Sequence, residues 1–392
     1  MAEHDPRHRH RPARARLERA WRRPPRCLRP PIERPGVSGS ELALEVKDLR
    51  TTLFLREGRV DVVRGVSFQL KQGETLALVG ESGCGKTMTA LSIMRLLPDP
   101  PARVTHGQVL LAGADVSRMP EHQMRSLRGE TVSIVFQEPL TSLDPVFTIG
   151  DQIVEAITSH RKLQRGEARE MAVEILKEVQ IPSPGQRLKD YPHQLSGGMR
   201  QRVMIAMALV LDPKVLIADE PTTALDVTIQ AQILDLIRTE QEQRRLAVLL
   251  ITHNLPVVSQ VADRVAVMYA GEVVEEAPAS EIFSDPRHPY TQGLLSSIPS
   301  AAGDHKHLYT IPGRVPDPRV LPPACLFAPR CPYALRRCWQ EHPELEATVS
   351  AGHADTSTQP DRHLLRCWNP QPFTALQAIE PQEVDRRIAT SE

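Results

Sequence analysis

Between residues 75 and 87 the chain has to turn from a buried strand into a helix while keeping its backbone open. Thr75-Leu76-Ala77-Leu78-Val79 is a short apolar run bounded by Gly73 and Gly80. Directly after it comes Gly80-Glu81-Ser82-Gly83-Cys84-Gly85-Lys86-Thr87. The spacing G-x-x-x-x-G-K-T, placed after a strand and opening a helix, is a phosphate cradle. Its glycines let backbone N–H groups curl around phosphate oxygens, and the helix N-terminus adds positive potential. In such a loop Lys86 reaches the β- and γ-phosphates and the Thr87 hydroxyl ligates Mg²⁺. A loop of this kind specifies a nucleotide and nothing finer.

The remaining pattern predicts an α/β fold around that loop. Val215-Leu216-Ile217-Ala218 and the run from Leu246 to Ile251 read as strands buried on both faces, with Ile229, Ile233 and Leu236 at helical spacing between them. Doubly buried strands separated by helices imply a largely parallel sheet. Alternation at Leu42 to Val46 and Val66 to Leu70 predicts an added antiparallel layer. Residues 87–97 read as a helix that buries Met88, Leu91, Met94 and Leu97 or close neighbours. Residues from about 151 to 190 are helical and polar, and beyond Pro286 prolines accumulate and periodicity fades.

The strand Val215 to Ala218 runs into Asp219-Glu220 and then Pro221. A carboxylate at the C-terminal end of a strand beside a phosphate loop suits Mg²⁺, here Asp219. Glu220 next to it can polarise a water for attack on a γ-phosphate. A solvated acidic strand end is the bland alternative.

Leu195-Ser196-Gly197-Gly198-Met199-Arg200-Gln201-Arg202, upstream of Asp219, resembles the signature motif of ABC ATPases. Other motifs of that family follow in order. Gln137 in Phe136-Gln137-Glu138-Pro139 is similar to the Q-loop, Thr223-Ala224-Leu225-Asp226 to the D-loop, and His253 to the switch histidine. Together they span about residues 42 to 285. The resemblance implies a P-loop NTPase core with an antiparallel β subdomain and a helical subdomain at about 138–212, binding ATP and Mg²⁺. It implies that Glu220, His253 and Gln137 act in hydrolysis and that Thr87, Gln137 and Asp219 hold Mg²⁺. It also implies a dimer of ATPase subunits, homo- or heteromeric, in which Ser196, Gly197, Gly198 and Asp226 of one subunit complete the other's site. Relatives stack an aromatic on adenine; Leu53 falls at that place, with Phe54 one residue on. Asn254 stands after His253 where relatives more often have Asp.

The stretch Glu138 to Pro145 (EPLTSLDP) resembles oligopeptide and dipeptide importers. So do His288-Pro289-Tyr290-Thr291, Pro312-Gly313, Leu321 to Cys325 and Arg330-Cys331-Pro332 in the region 286–370. The subfamily works with two transmembrane permease subunits and, indirectly, an extracytoplasmic solute-binding protein. Peptides are the favoured solute, with nickel or another small solute as alternatives. Four of the six cysteines, Cys325, Cys331, Cys338 and Cys367, lie in this extension. In a cytosolic protein four such thiols argue for a metal centre over disulfides. The absence of a C-x-x-C pair weakens a zinc ribbon, whereas a four-thiolate 4Fe-4S cluster tolerates irregular spacing; some relatives with this tail are associated with such a cluster. Zinc and no metal stay open. Cys84 and Cys27 are read as incidental.

Charge limits the competing classes. The 392 residues carry 48 basic and 48 acidic side chains, so no global field favours nucleic acid. The first 40 residues carry eleven Arg against four acids and many prolines, a composition that cannot bury a core. A disordered head, a weak contact with anionic lipid or nucleic acid, and a misplaced start codon all fit it. No apolar run of about 18 residues offers a membrane span, so any membrane role comes through a partner; the resemblance implies a peripheral protein on the cytoplasmic face of the inner membrane. A soluble ABC ATPase of DNA repair or translation would carry two cores, coiled coils or zinc modules. A purely regulatory nucleotide-binding protein would have lost Glu220, Ser196 or His253.

Overall fold

The computed structural model describes residues 42–223, 225–298, 310–348 and 363–373. The Arg/Pro-rich head, Cys27, Ala224 and residues 374–392 of a terminal tail expected at 371–392 lie outside them. The described residues belong to one compact unit.

Two sheets organise it. Strands β1 (Leu42–Leu55), β2 (Gly58–Lys71), β4 (Ala102–Leu111) and β5 (Ala114–Asp115) form the antiparallel sheet, ordered β2-β1-β4-β5. The second sheet contains β3 (Thr75–Val79), β6 (Val132–Val135), β7 (Val215–Asp219), β8 (Ala247–Thr252), β9 (Arg264–Tyr269), β10 (Glu272–Pro278), β11 (Glu346–Thr348) and β12 (His363–Leu365). Its order is β11-β12-β10-β9-β3-β8-β7-β6, with the five strands from β9 to β6 parallel. Every residue of β3, β7 and β8 is buried, as the apolar runs predict. Alternate side chains divide between layers. Ala247, Leu249 and Ile251 pack toward the antiparallel sheet, while Val248 and Leu250 pack toward the helical layer.

Helix α1 (Lys86–Met94) lies against the antiparallel sheet, where the Thr51 and Ser92 hydroxyls meet at 2.7 Å. It is shorter than the apolar spacing predicts. Arg95 adopts φ +53°, its N–H bonds back to Leu91 and Ser92, and the helix stops. The face it buries is Ala90, Ile93 and Met94 with Thr89 and Ser92, while Met88 and Leu91 are half-buried. Contact with the sheet, rather than the helix's own hydrophobic stripe, sets its rotation.

The polar stretch after β6 forms α2 (Ile149–Thr158) and α3 (Arg165–Glu178). Thr148 caps the first, accepting from the Asp151 N–H at 3.1 Å, and a Gln164/Glu167 capping box opens the second. Helix α4 (Gly197–Leu209) and helix α5 (Val227–Arg244) bury Ile205, Leu209, Ile233 and Leu236 in the same apolar cluster.

Beyond Pro286 the described residues add β11 and β12 to the main sheet. Strand β12 pairs with β10 through Glu275↔Leu365 and Glu276↔Leu364. The fully buried Glu275 carboxylate accepts from the Arg287 and His288 N–H groups at 2.7 and 3.2 Å and lies 2.7 Å from His363 Nε2. Helix α6 (Pro289–Ser296) then brings Tyr290 into the core.

Arg244, at the end of α5, ties three segments together. It bonds Glu240 at 2.7 Å, Asp212 at 2.9 Å and Glu178 at the end of α3. Glu240 is only 3% exposed, so deleting the cation strands a buried carboxylate. Arg244→Met is expected to cost about 2 kcal/mol, read as a lower urea midpoint at unchanged slope. An unchanged midpoint would show that the network contributes nothing.

Candidate active site

The loop from Gly80 to Thr87 joins the end of β3 to α1. Gly80 has φ +154°, and a Cβ there would lie 2.2 Å from the Met268 carbonyl oxygen; Gly85 has φ +105°, and a Cβ there would lie 2.5 Å from that of Val62. Any side chain at either position therefore meets backbone, which is why both must be glycine. Lys86 is 5% exposed and donates from Nζ to the Gly80 and Glu81 carbonyls at 2.9 and 3.0 Å. Gly83 faces open space, and Ser82 is exposed. Cys84 is buried with its sulfur 3.7 Å from Lys86 Nζ. Burial pushes its thiol above the ordinary value despite that cation, so it packs as an apolar group.

Asp219 ends β7 with 2% exposure, and its Oδ1 accepts from the Thr87 hydroxyl at 3.3 Å. Two hard oxygens from separate elements thus sit side by side. Mg²⁺ takes one or two protein oxygens together with phosphate oxygens and water, so this pair fits it. Burial raises the Asp219 pKa, the Thr87 hydrogen bond opposes the shift, and the Glu220 charge adds to it. A cation would relieve that cost.

Glu220 is the point on which the site converges. It has φ +45°, strained for a residue with a side chain, and its N–H extends the ladder to the Ile251 carbonyl at 2.8 Å. Its Oε2 accepts from Gln137 Nε2 at 3.0 Å and from the Thr223 hydroxyl at 2.8 Å, and its Oε1 lies 3.0 Å from His253 Nδ1. Burial alone would raise this carboxyl, but the His253 and Thr223 hydrogen bonds outweigh it and hold it below the ordinary value. The group is therefore an ionised acceptor at neutral pH. Gln137 comes from the segment after β6 and His253 from the end of β8. Thr223 is a contact that the sequence pattern does not single out.

Ser196 caps α4 by accepting from the Met199 N–H at 3.3 Å, and Asp226 caps α5 from Ile229 at 2.9 Å. Gly197 lies against Leu225, and a Cβ at Gly198 would come within 2.7 Å of Ile229. Ser196, Gly197, Gly198 and Asp226 thus belong to two helix starts packed on each other. Phe54 lies next to the end of β1, is 41% exposed, and carries the Arg59 guanidinium 5.4 Å from its ring centroid. His193 stacks on Tyr191.

A family model described as ABC transporter matches residues 63–223. A second, described as oligopeptide/dipeptide transporter, C-terminal region, matches residues 274–338. The chain is 48% identical over 328 residues to the dipeptide transport ATP-binding protein DppD of Bacillus subtilis (84% of this chain and 95% of that one). It is 51% identical over 302 residues to the oligopeptide transport ATP-binding protein AppD of the same organism (77% and 92%). The chain belongs to the ATP-binding proteins of ABC transporters. Among solved structures it is similar to the ATP-binding cassette MJ0796 in a dimeric post-hydrolysis state bound to ADP and Pi. That match has TM-score 0.54 and 27% identity and covers 60% of this chain and 98% of that one. Another is cbiO1 from Clostridium perfringens, with TM-score 0.53, 28% identity and coverage of 62% and 91%. The protein is an ATPase of the ABC class.

The extension gathers the four tail cysteines. Cys325, Cys331, Cys338 and Cys367 line one small cavity with His288 and Phe327, and none is in a disulfide. The Leu335 N–H donates to Cys338 Sγ at 3.4 Å and the Asn369 N–H to Cys367 Sγ at 3.3 Å. Burial pushes the Cys325 thiol up to about 11, Cys367 up to about 12 and Cys331 well above its usual value. Among the described residues, no group of three or more His, Cys, Asp or Glu side chains is arranged to hold a single metal ion.

Glu220→Gln is expected to keep ATP binding while turnover falls at least about 100-fold, since the amide cannot accept a proton from water. Steady-state hydrolysis beside equilibrium ATP binding separates the two. Wild-type turnover in the variant would move the catalytic role elsewhere.

Proposed function

We propose that the protein binds Mg–ATP at residues 80–87 and hydrolyses it to drive import of di- or oligopeptides. The convergence of Gln137, Thr223 and His253 on the ionised Glu220 carboxylate carries the hydrolytic reading. Glu220 would orient and deprotonate a water for in-line attack, with His253 fixing the carboxylate and contacting the γ-phosphate. Lys86 and the backbone of the loop would stabilise charge on the transferring phosphoryl group. Thr87, Asp219 and Gln137 would hold Mg²⁺, which supplies charge neutralisation between the β- and γ-phosphates. Phe54, or its register neighbour Leu53, would cover the adenine.

Ser196, Gly197, Gly198 and Asp226 would serve a second ATPase subunit packed head to tail, so that ATP joins two subunits and hydrolysis separates them. That subunit could be a second copy or a relative, because both half-sites are intact here. Two permease subunits would dock around the segment after Gln137, where Val146 and Phe147 are 72% and 52% exposed. Among the described residues no helix is long and apolar enough to cross a membrane, which fits attachment through such partners at the cytoplasmic face. A solute-binding protein would deliver the peptide. The peptide reading is favoured by the match in the C-terminal region and by the solutes named for DppD and AppD.

The four extension thiols are assigned to a 4Fe-4S cluster, with zinc as the alternative. Four unpaired cysteines around one cavity, two of them accepting backbone N–H groups, form a donor set of the right kind. A cluster would cross-link the turns around Cys325, Cys331, Cys338 and Cys367.

Expressing tagged Glu220→Gln protein in its native host and trapping it with ATP tests the transport reading. Two polytopic membrane proteins and a solute-binding protein should co-purify from solubilised membranes. Recovery only with ribosomal or DNA-repair proteins would overturn it. Protein purified without oxygen should be brown and hold iron and acid-labile sulfide in near-equal amounts, lost in Cys331→Ser. Colourless protein with stoichiometric zinc would sink the cluster.

A further inference from the structure

The second residue of the phosphate loop is held from outside the loop. Glu81 Oε2 and Oε1 accept from Arg330 Nη1 and Nη2 at 2.7 and 3.0 Å, a two-point ion pair across 249 residues of sequence. The Glu81 N–H donates to the Tyr290 hydroxyl at 2.9 Å. Both partners come from the extension, and both are buried. Arg330 is itself fixed, since Nε donates to the Pro312 carbonyl at 2.8 Å and the guanidinium lies 5.7 Å from the Tyr269 ring centroid.

Arg330 sits in the chain between Ala328 and Cys331, both of which line the cysteine pocket. It precedes Cys331 in a run of tight turns in which Ala328 N–H bonds the Cys325 carbonyl, Arg330 N–H bonds Phe327 and Cys331 N–H bonds Ala328. Phe327 lines the cysteine cavity and packs on Tyr269 and Tyr290 at centroid distances of 5.3 and 5.4 Å. One packed segment therefore reaches the cysteine cavity through Phe327 and the phosphate loop through Arg330 and Tyr290.

We propose that Arg330 is a positioning residue for the nucleotide site: by gripping Glu81 it holds the phosphate loop in its binding curve, and through the turn at 325–331 it couples the order of the cysteine pocket to ATP affinity. The inference rests on residues 80–87 being the ATP site, and not on which metal the cysteines hold. Charge-assisted, two-point pairs are the strong ones, and this one is largely shielded from water. Because binding linkage is reciprocal, nucleotide on the loop must also protect the pocket.

The test measures equilibrium binding of a fluorescent ATP analogue to the full chain, with Lys86→Ala as the reference for loss of the loop. Arg330→Met and Glu81→Gln should each weaken binding about tenfold, and the double variant no further. Arg330→Lys should recover part of the loss. In the wild type the analogue should slow alkylation of the four tail thiols several-fold, an effect absent in Glu81→Gln. Glu81→Gln alters the more exposed partner, so it decides the matter even where Arg330→Met fails to fold. Wild-type affinity in Glu81→Gln, additive losses in the double variant, or alkylation indifferent to nucleotide would each overturn the proposal. Unchanged binding in Lys86→Ala would instead overturn the phosphate-loop reading beneath it.

Discussion

Backbone pairing among β3, β8 and β7 is the constraint on which the rest of the molecule depends. In the parallel register Val79 stands beside Thr252, and Ile251 beside Asp219. The residues that leave these strands, Gly80, His253 and Glu220, therefore emerge along one edge of the sheet. Ligands of open parallel sheets bind at that carboxyl edge because loops there can diverge around them. A slip of one residue would turn every side chain to the opposite layer. The apolar clusters on both faces forbid it.

Two adjacent carboxylates at that edge are driven apart in character by their surroundings. Asp219 points into the protein, where burial raises its pKa and a cation is the natural remedy. Glu220 also loses water, yet the hydrogen bonds from His253 and Thr223 keep it ionised. Neighbouring acids with opposite shifts can divide metal binding and base chemistry between them. Glu220, with its positive φ, faces Gln137 and His253, while Asp219 faces Thr87.

The extension changes how the nucleotide site is bounded. By adding β12 to β10 and anchoring residues 287–288 on the buried Glu275, it becomes a wall of the core. Tyr290, Tyr269 and Phe327 fill the space between the phosphate loop and the cysteines. Buried aromatics in mutual contact transmit displacement because close-packed interiors deform little.

Motifs in which local spacing fixes local shape were legible in the chain itself. The turn from β3 into α1, the apolar runs of β7 and β8 and the acids at 219–220 all follow from short-range sterics and hydrogen bonding. The end of the helix after the phosphate loop is not legible in the same way, since Arg95's left-handed turn carries no periodic signal. Arg330 and Tyr290 could be seen only as parts of a familiar tail. Their grip on Glu81 joins residues more than 200 positions apart, and no spacing rule reaches that far. The sequence by itself determined that this chain builds a phosphate loop, a pair of strand-end carboxylates and four tail cysteines. Which of these groups meet was decided by the tertiary structure alone, because side-chain contact depends on how sheets and turns pack once water has been excluded between them.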